Sequence, residues 1–261
     1  MSRSFENRVA VVTGAGSGIG LAIAQRFSEE GARVAILERV PASGRAAAER
    51  LRLAGGTCEF IGCDVASEVE VTGAVKQVVA AFGAIDHLVN NAGVILVKRL
   101  QETTVDDWDR VMNVNVRSIF LTARSCFDYL RGAAAPTIVN IGSISSFVAQ
   151  KDIGAYVASK GAVAMLSKAL ALDFAEYGIR VNCVCPGITD TPMLRFHASQ
   201  TPDLEQTLRE RCNRVPLGRL LRGTDIANAV LYLSGAASAG VTGATLLVDG
   251  GLLAAAEWSN A

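Results

Sequence analysis

The chain alternates between short apolar runs and longer amphipathic stretches, which predicts alternating strands and helices. Runs of four to seven mostly apolar residues, rich in Val and Ile, are typical of strands that are buried in a parallel sheet. These runs are Arg8–Thr13, Arg33–Leu37, Thr57–Ile61, Asp86–Asn90, Pro136–Ile141, Ile179–Cys185 and Thr245–Val248. Helical periodicity covers Leu21–Glu30, Ala42–Ala54, Ser67–Phe82 with Ser67 as N-cap, about Val105–Leu130, the segment from Tyr156 to about Tyr177, and Thr224–Leu233.

This alternation predicts one α/β domain over residues 1–261, a Rossmann fold. About seven parallel strands would form a doubly wound sheet with helices on both faces. The segment at about 193–215 is polar and irregular, with weakly helical pieces. Ligands of such sheets bind at the carboxyl ends of the strands, so candidate residues are sought there.

Composition narrows the functional classes. Lys+Arg and Asp+Glu are balanced at 25 each and no basic block occurs, which argues against a nucleic-acid partner. The six cysteines form no C-x-x-C pair, which predicts free thiols in a reducing compartment, and two histidines are too few for a zinc cluster. Since no apolar run is long enough to span a bilayer, we expect a cytoplasmic protein without a membrane partner.

A glycine-rich turn joins the first strand to the first helix in the pattern T-G-x-x-x-G-x-G. Glycines let the backbone approach a pyrophosphate, and a helix N-terminus offers free N–H groups to it. The turn therefore predicts a dinucleotide site, and the alternative is a turn without ligand. The candidate residues are Gly14, Ser17, Gly18, Ile19 and Gly20.

Polar residues also end the next strands. Glu38 ends the second strand, where a carboxylate accepts the adenosine ribose hydroxyls and repels a 2′-phosphate, so NAD is expected over NADP. Arg39 argues in the other direction, because its side chain can turn toward the 2′-phosphate of NADP. Residues at the ends of the third and fourth strands either contact the adenine or stabilise their own turns. They are Asp64, Val65, Asn91, Ala92 and Gly93.

Tyr156 and Lys160 lie four residues apart and therefore on one face of the predicted helix. A neighbouring ammonium lowers the pKa of a phenol, which brings proton transfer to an alcohol oxygen within reach. Ser143, at the end of the fifth strand, is either a hydrogen-bond donor to a substrate oxygen or a cap. Asn115 lies in an apolar helical stretch, where its amide either caps a kink or orders water.

Together these residues resemble the short-chain dehydrogenase/reductase family. The match consists of the glycine run from Thr13, N-N-A-G from Asn90, Asn115, Ser143, Tyr156-x-x-x-Lys160 and Pro186-Gly187. The resemblance implies that Tyr156 is the general acid/base, that Lys160 holds the nicotinamide ribose and lowers the Tyr156 pKa, and that Ser143 steadies the substrate oxygen. Asn115 would hold a water on a proton path. The nicotinamide would contact Pro186, Gly187, Ile188 and Thr191, under a mobile substrate lid at about 193–215.

The sequence thus predicts an NAD-dependent oxidoreductase that acts on a secondary alcohol or ketone, preferably a sugar, polyol or cyclic alcohol. The alternatives are an NADPH-driven 3-oxoacyl-thioester reductase and a non-catalytic dinucleotide-binding regulator. The charged lid residues either select an anionic or polyhydroxylated substrate or lie on solvated faces; they are Arg195, His197, Arg209, Arg211 and Arg214. The resemblance also implies a dimer or tetramer, to which the tail Leu252–Ala261 with Trp258 would contribute contacts.

Overall fold

Seven parallel strands form one sheet in a computed structural model that describes residues 4–255. The strands follow the order β3-β2-β1-β4-β5-β6-β7. Their bounds are β1 (Val9–Thr13), β2 (Arg33–Glu38), β3 (Thr57–Gly62), β4 (His87–Asn90), β5 (Thr137–Ile141), β6 (Arg180–Pro186) and β7 (Thr245–Val248). The predicted doubly wound sheet is therefore confirmed. The winding direction reverses between β1 and β4, which is where such folds bind ligands.

The described residues form nine α-helices. They are α1 (Gly18–Glu29), α2 (Pro41–Leu53), α3 (Glu68–Phe82), α4 (Val105–Met112), α5 (Ser118–Leu130), α6 (Gly154–Asp173), α7 (Pro192–Ala198), α8 (Leu204–Asn213) and α9 (Gly223–Ser234). The predicted cap of α3 is confirmed, since the Ser67 side chain accepts a hydrogen bond from the backbone N–H of Glu70 at 3.3 Å.

Successive strand residues point to opposite faces, and both faces are buried. On one face Val11 and Leu88 pack with α3, α5 and α6, and on the other Val12 and Val89 pack with α1, α2 and α9. This double burial is the reason that the strands appear in the sequence as continuous apolar runs. The two layers hold the strand ends, and with them the site residues, in fixed positions.

Two predicted helical segments differ in detail. The long helix at Val105–Leu130 is interrupted by one turn of π-helix, Asn113–Arg117, which separates α4 from α5. The irregular segment at 193–215 contains α7 and α8, and its helices share a small core of their own around Leu208 and Val215. A π-turn inside a helix often marks a functional position, and Asn115 lies in it.

No helix in residues 4–255 is long and apolar enough to cross a membrane. The same residues contain no group of three His, Cys, Asp or Glu side chains that could hold a metal ion. All six cysteines are free. The predicted contact of Trp258 with a neighbouring subunit lies outside the described residues.

Candidate active site

The glycine-rich turn leaves β1 in a conformation that favours glycine. Gly14 and Gly18 have φ of 63° and 56°, in the left-handed region. A side chain at Gly14 would also lie only 2.8 Å from the Cα atom of Ala92. The turn is therefore packed directly against the residues that follow β4.

Asn91 ties these two segments together. Its side-chain amide donates to the carbonyl oxygens of Thr13, at 3.0 Å, and Gly14, at 3.1 Å. The hydroxyl of Thr13 accepts from the backbone N–H groups of Asn91 and Ala92, both at 3.0 Å. Of the two roles open to Asn91 from the sequence, the structure shows the one that stabilises the turn.

A groove runs along the carboxyl ends of β1 to β4. Among the described residues no side chain caps the N-terminus of α1, so the N–H groups of its first turn face this groove. The small residues of the turn leave room for an anion beside those donors, which fits the pyrophosphate of a dinucleotide. Of the predicted residues, the groove is lined by Gly14, Ser17, Gly18, Ile19, Glu38, Asp64, Val65, Asn91, Ala92, Gly93 and Thr191.

Glu38 is fixed at one end of the groove. Its carboxylate accepts hydrogen bonds from the backbone N–H groups of Gly16, at 3.2 Å, and Val40, at 3.0 Å. These contacts hold a negative charge beside the glycine turn, where a ribose of the dinucleotide would lie. Arg39 lines the same groove and is exposed. Farther along, the Asp64 carboxylate accepts from the N–H of Ala66 at 2.9 Å.

A second cavity brings together Ser143, Tyr156 and Lys160. The Ser143 hydroxyl oxygen accepts from the N–H of Ser145 at 3.1 Å and also forms a hydrogen bond with Tyr156. The Lys160 ammonium donates to the carbonyl oxygen of Ile141 at 2.8 Å and lies 5.6 Å from the centre of the Tyr156 ring. The structure shows the capping role of Ser143 and places its hydroxyl beside the phenol, whereas its contact with a substrate oxygen stays a prediction.

The pKa of Tyr156 corrects one expectation. Burial raises this pKa above its ordinary value, while the Ser143 hydrogen bond acts in the opposite direction. The predicted net lowering is absent here: the Lys160 ammonium donates to the Ile141 carbonyl and not to the phenol oxygen, and burial of the phenol dominates. Burial lowers the pKa of Lys160 to about 8, so its ammonium is still mostly protonated at neutral pH.

Asn115 connects the π-turn to both parts of the site. Its side-chain oxygen accepts from the N–H of Val94 at 2.8 Å, and its amide donates to the Val94 carbonyl at 3.0 Å and to the Ser159 hydroxyl at 2.9 Å. Val94 follows the groove residue Gly93, and Ser159 precedes Lys160 on α6. All the polar atoms of this side chain thus have protein partners. Asn115 lines neither cavity, and the water predicted beside it stays a prediction.

The end of β6 joins the two cavities. Pro186, Gly187, Ile188 and Thr191 line the second cavity, and Thr191 also lines the groove. The Thr191 hydroxyl accepts from the N–H of Leu194 at 3.2 Å and so caps α7. Gly187 packs so closely that a side chain there would approach the Cα of Asp249 to 2.6 Å. Of the predicted cofactor residues only Gly20 lines neither cavity; it lies inside the turn, against Asn91.

A thiol pair lies directly behind the catalytic candidates. Cys183 and Cys185 are fully buried on one face of β6, with their sulfur atoms 3.7 Å apart. A side chain at Gly142 would come within 2.5 Å of the Cys185 sulfur, so this glycine lets β5 approach the pair. The close approach fixes the backbone from which Ser143 extends. Both cysteines belong to the core between the sheet and α3, α5 and α6.

Several residues that line the second cavity belong to none of the sequence motifs. Ile95, Ile153, Met193 and Leu194 are apolar lining residues, and Gln150, His197 and Arg211 are polar ones. They come from four separate segments that meet only in the folded chain. Their one sequence signal was a position shortly after Gly93, shortly before Tyr156 or within the predicted lid, and that signal does not distinguish a lining residue from a solvated one.

Known proteins resemble the chain over nearly its whole length. The family profile described as Enoyl-(Acyl carrier protein) reductase matches residues 14–253. The chain is 41% identical over 248 residues to 2-(R)-hydroxypropyl-CoM dehydrogenase of Xanthobacter autotrophicus, covering 94% of this chain and 98% of that one. It is 38% identical over 248 residues to cyclopentanol dehydrogenase of Comamonas sp., covering 95% and 98%.

The solved structures show the same relationship. Aldohexose dehydrogenase of Thermoplasma acidophilum superposes with a TM-score of 0.90 at 32% identity, covering 100% of both chains. Full-length similarity in sequence and fold accompanies the glycine turn and the Ser143, Tyr156 and Lys160 cluster described above. The chain belongs to the short-chain dehydrogenase/reductase family.

Proposed function

We propose that this protein is an NAD-dependent dehydrogenase that interconverts a secondary alcohol and the corresponding ketone. The observation that carries the proposal is the shared boundary of the two cavities. Ile19, Thr191 and Met193 line both of them, so a molecule in the groove would lie next to one beside Tyr156. This adjacency suits hydride transfer between two bound molecules, which requires contact between the reacting atoms.

Each catalytic candidate has a role that its contacts support. The nicotinamide dinucleotide, when bound, supplies the hydride acceptor. Tyr156 takes the alcohol proton at its phenol oxygen. Because the Ser143 oxygen accepts from the Ser145 N–H, its own proton is the one it donates: to the phenol oxygen of Tyr156 in this structure, and to the substrate oxygen when an alcohol is bound. Lys160 holds the nicotinamide ribose: a side chain built on the groove residue Gly93 would lie 3.7 Å from the Lys160 Nζ, so the ammonium is within reach of a sugar bound there.

The raised pKa of Tyr156 has a consequence for pH. The protonated phenol is the form that donates to a ketone oxygen, whereas alcohol oxidation needs a proton acceptor. Oxidation is therefore favoured as pH rises above neutrality, and ketone reduction is favoured at lower pH. Asn115 is hydrogen-bonded to Ser159, the neighbour of Lys160 on α6, and we infer that a water beside Asn115 carries the proton onward.

The relatives guide the choice of substrate class. The names of the two similar dehydrogenases and of the solved structure refer to cyclopentanol, a hydroxypropyl group and an aldohexose. These names favour a small alcohol, polyol or sugar over the 3-oxoacyl thioester that the sequence left as an alternative. A non-catalytic regulator is disfavoured because Ser143, Tyr156 and Lys160 are all present and meet in one cavity.

The experiment is a panel of cyclic alcohols, polyols, sugars and acyl thioesters, with NADH absorbance as the readout. Wild-type protein should oxidise at least one secondary alcohol with NAD⁺. Tyr156→Phe, which keeps the ring and removes the hydroxyl, should lower kcat by about a thousandfold or more while the Kd for NADH changes little. Turnover of acyl thioesters alone, or unimpaired turnover by the variant, would contradict the proposal.

Assembly and location are parts of the same proposal. We expect a homodimer or homotetramer, because large apolar side chains are exposed on the two long helices that flank one face of the sheet. These exposed side chains are Phe120 on α5 and Met165 and Leu172 on α6. Light scattering that gives the mass of one 27.3 kDa chain would contradict this. The free cysteines support a reducing, cytoplasmic compartment, which cell fractionation tests.

A further inference from the structure

The lid arginines differ in what surrounds them. Arg195 forms a two-pronged ion pair with Asp190, at 2.9 and 3.0 Å, and is exposed. Arg209 lies exposed on the outer side of α8. Arg211, two residues farther along α8, is half-buried and lines the cavity that contains Tyr156. Only the third of these guanidinium groups is placed where a substrate could reach it.

Arg211 has no carboxylate to neutralise it. Within residues 4–255 it forms no ion pair, and its hydrogen-bond partner is the ring nitrogen Nδ1 of His197, at 3.3 Å. Burial lowers the pKa of Arg211, and the positive charge of Arg214 lowers that pKa further. A half-buried guanidinium without a counter-charge is costly, and an anion that enters the cavity would relieve that cost.

The wall of this cavity also carries positive charge and no negative charge among its described lining residues. The described residues that line it include Lys160 and Arg211 but no aspartate or glutamate. The remainder of the wall is mostly apolar, with a few hydroxyl groups and the amide of Gln150. Such a surface attracts an anion and offers a carboxylate no competing negative charge.

The lid holds the arginine in place. Leu208 and Val215, on either side of Arg211 in the sequence, are buried in the small core that α7 and α8 share. His197 lies on α7, so its hydrogen bond with Arg211 bridges the two lid helices. Burial and the neighbouring Arg211 lower the pKa of His197, which leaves the imidazole neutral and able to accept that bond at neutral pH.

We propose that Arg211, oriented by His197, forms an anion subsite in the substrate cavity, so that the preferred alcohol carries a small anionic group such as a carboxylate. This inference rests on the proposed dehydrogenase function and makes its substrate class specific. The hydroxyl of the substrate lies at Tyr156 and its anionic group at the lid.

The first test uses matched substrates that differ in one charge. The series is 3-hydroxybutyrate, 4-hydroxypentanoate and 5-hydroxyhexanoate, each compared with its methyl ester, and the corresponding hydroxyalkanesulfonates distinguish carboxylate from sulfonate. For one chain length, wild-type kcat/KM should favour the anion over the neutral ester by about ten- to a hundredfold, the effect of one charge-assisted hydrogen bond. Equal or better use of every ester would overturn the proposal.

The second test changes the arginine. Arg211→Gln should lower the anion-to-ester ratio of kcat/KM by at least about tenfold, mainly through KM, and Arg211→Lys should restore part of it. Arg209→Gln is the matched control, because it removes the same charge from the same helix at an exposed position. If the Arg209 variant lowers the ratio as much as the Arg211 variant does, a general charge effect explains the preference and the subsite is wrong.

Butyrate, which has no hydroxyl group, separates this proposal from the proposed function. Calorimetric titration of the NAD⁺-loaded protein with butyrate should give binding in the wild type that Arg211→Gln weakens at least about tenfold. If no alcohol is turned over but butyrate binds in this way, the proposed function fails and the anion subsite stands. Equal butyrate binding by both proteins overturns the subsite, whatever the turnover.

Discussion

At the scale of single residues, the contacts decide between roles that residue type leaves open. Asn91 and Ser143 could be assigned to a ligand or to a turn from their positions alone. The structure shows Asn91 committed to the carbonyls of Thr13 and Gly14, and Ser143 in contact with both a backbone N–H and a phenol. A side chain with several hydrogen-bonding atoms can serve structure and chemistry together, which sequence patterns do not express.

Glu38 gives a prediction about cofactor choice. Its carboxylate is held by two backbone N–H groups, so Glu38→Gln removes the charge and keeps one acceptor oxygen in the same position. The wild type should prefer NAD⁺ over NADP⁺, because a 2′-phosphate beside a fixed carboxylate is repelled. The variant should lower this preference, measured as the ratio of the two kcat/KM values, by at least about tenfold.

Arg39 supplies the control for that measurement. It lines the same groove but is exposed and positively charged. Arg39→Gln should leave the use of NAD⁺ nearly unchanged and weaken the use of NADP⁺. An unchanged ratio in Glu38→Gln would mean that Glu38 only supports the glycine turn.

At the scale of elements, predictions from apolar periodicity were accurate to a residue or two for the strands. The five inner strands are buried on both faces, so their apolar runs end where the sheet ends, and the edge strands β3 and β7 are partly exposed. The π-turn at Asn113–Arg117 escaped prediction because it adds one residue to a helix without changing its composition. The lid helices α7 and α8 were seen only as weakly helical, since they pack on a small core that gives little periodicity.

The π-turn gives a prediction about stability. Asn115→Ala removes three hydrogen bonds and leaves both backbone groups of Val94 without these partners. The free energy of unfolding should fall by about 2–4 kcal/mol, measured by urea denaturation. NADH affinity should also fall, because Val94 adjoins Gly93 in the groove.

Ser159→Ala is the matched comparison for Asn115→Ala. It removes one of the three Asn115 bonds, together with the bond from the Ser159 hydroxyl to the Tyr156 carbonyl, and leaves the contacts of Asn115 with Val94 intact. Its effect on NADH affinity should therefore be clearly smaller. Equal losses of affinity in the two variants would show that the clamp on Val94 does not shape the groove.

At the scale of the whole molecule, the parallel sheet is what made the chemistry predictable. Residues at successive strand ends converge on one edge: Gly14, Glu38 and Asn91 line the groove, and Ser143 lines the cavity that adjoins it. Strand order does not predict which other residues line the substrate cavity. Gln150, His197 and Arg211 reach the cavity from a loop and two lid helices, and only their packing reveals which of the charged lid residues faces inward.

The interior of the molecule also carries a pH dependence. His87 is buried at the start of β4, where its Nδ1 lies 2.8 Å from the Thr137 hydroxyl oxygen and its ring packs against Phe5 and Phe27. Burial lowers its pKa to about 4; the Asp86 carboxylate opposes this shift, whereas Arg8 and Arg180 reinforce it. The unfolded chain, with an ordinary histidine, binds a proton at higher pH than the folded chain does.

The free energy of unfolding should therefore have its full value above about pH 6.5 and should decrease as pH falls toward 4. The reason is that a proton binds more tightly to this histidine in the unfolded chain than in the folded chain. Between pH 7 and 5 the loss amounts to about 2 kcal/mol, measured by urea denaturation at each pH. His87→Gln keeps a polar partner for Thr137 and should remove most of that slope. Asp107→Asn should not, because the pKa of Asp107 lies below its ordinary 3.8 and outside the window. A slope that persists in His87→Gln would assign the acid sensitivity to other groups.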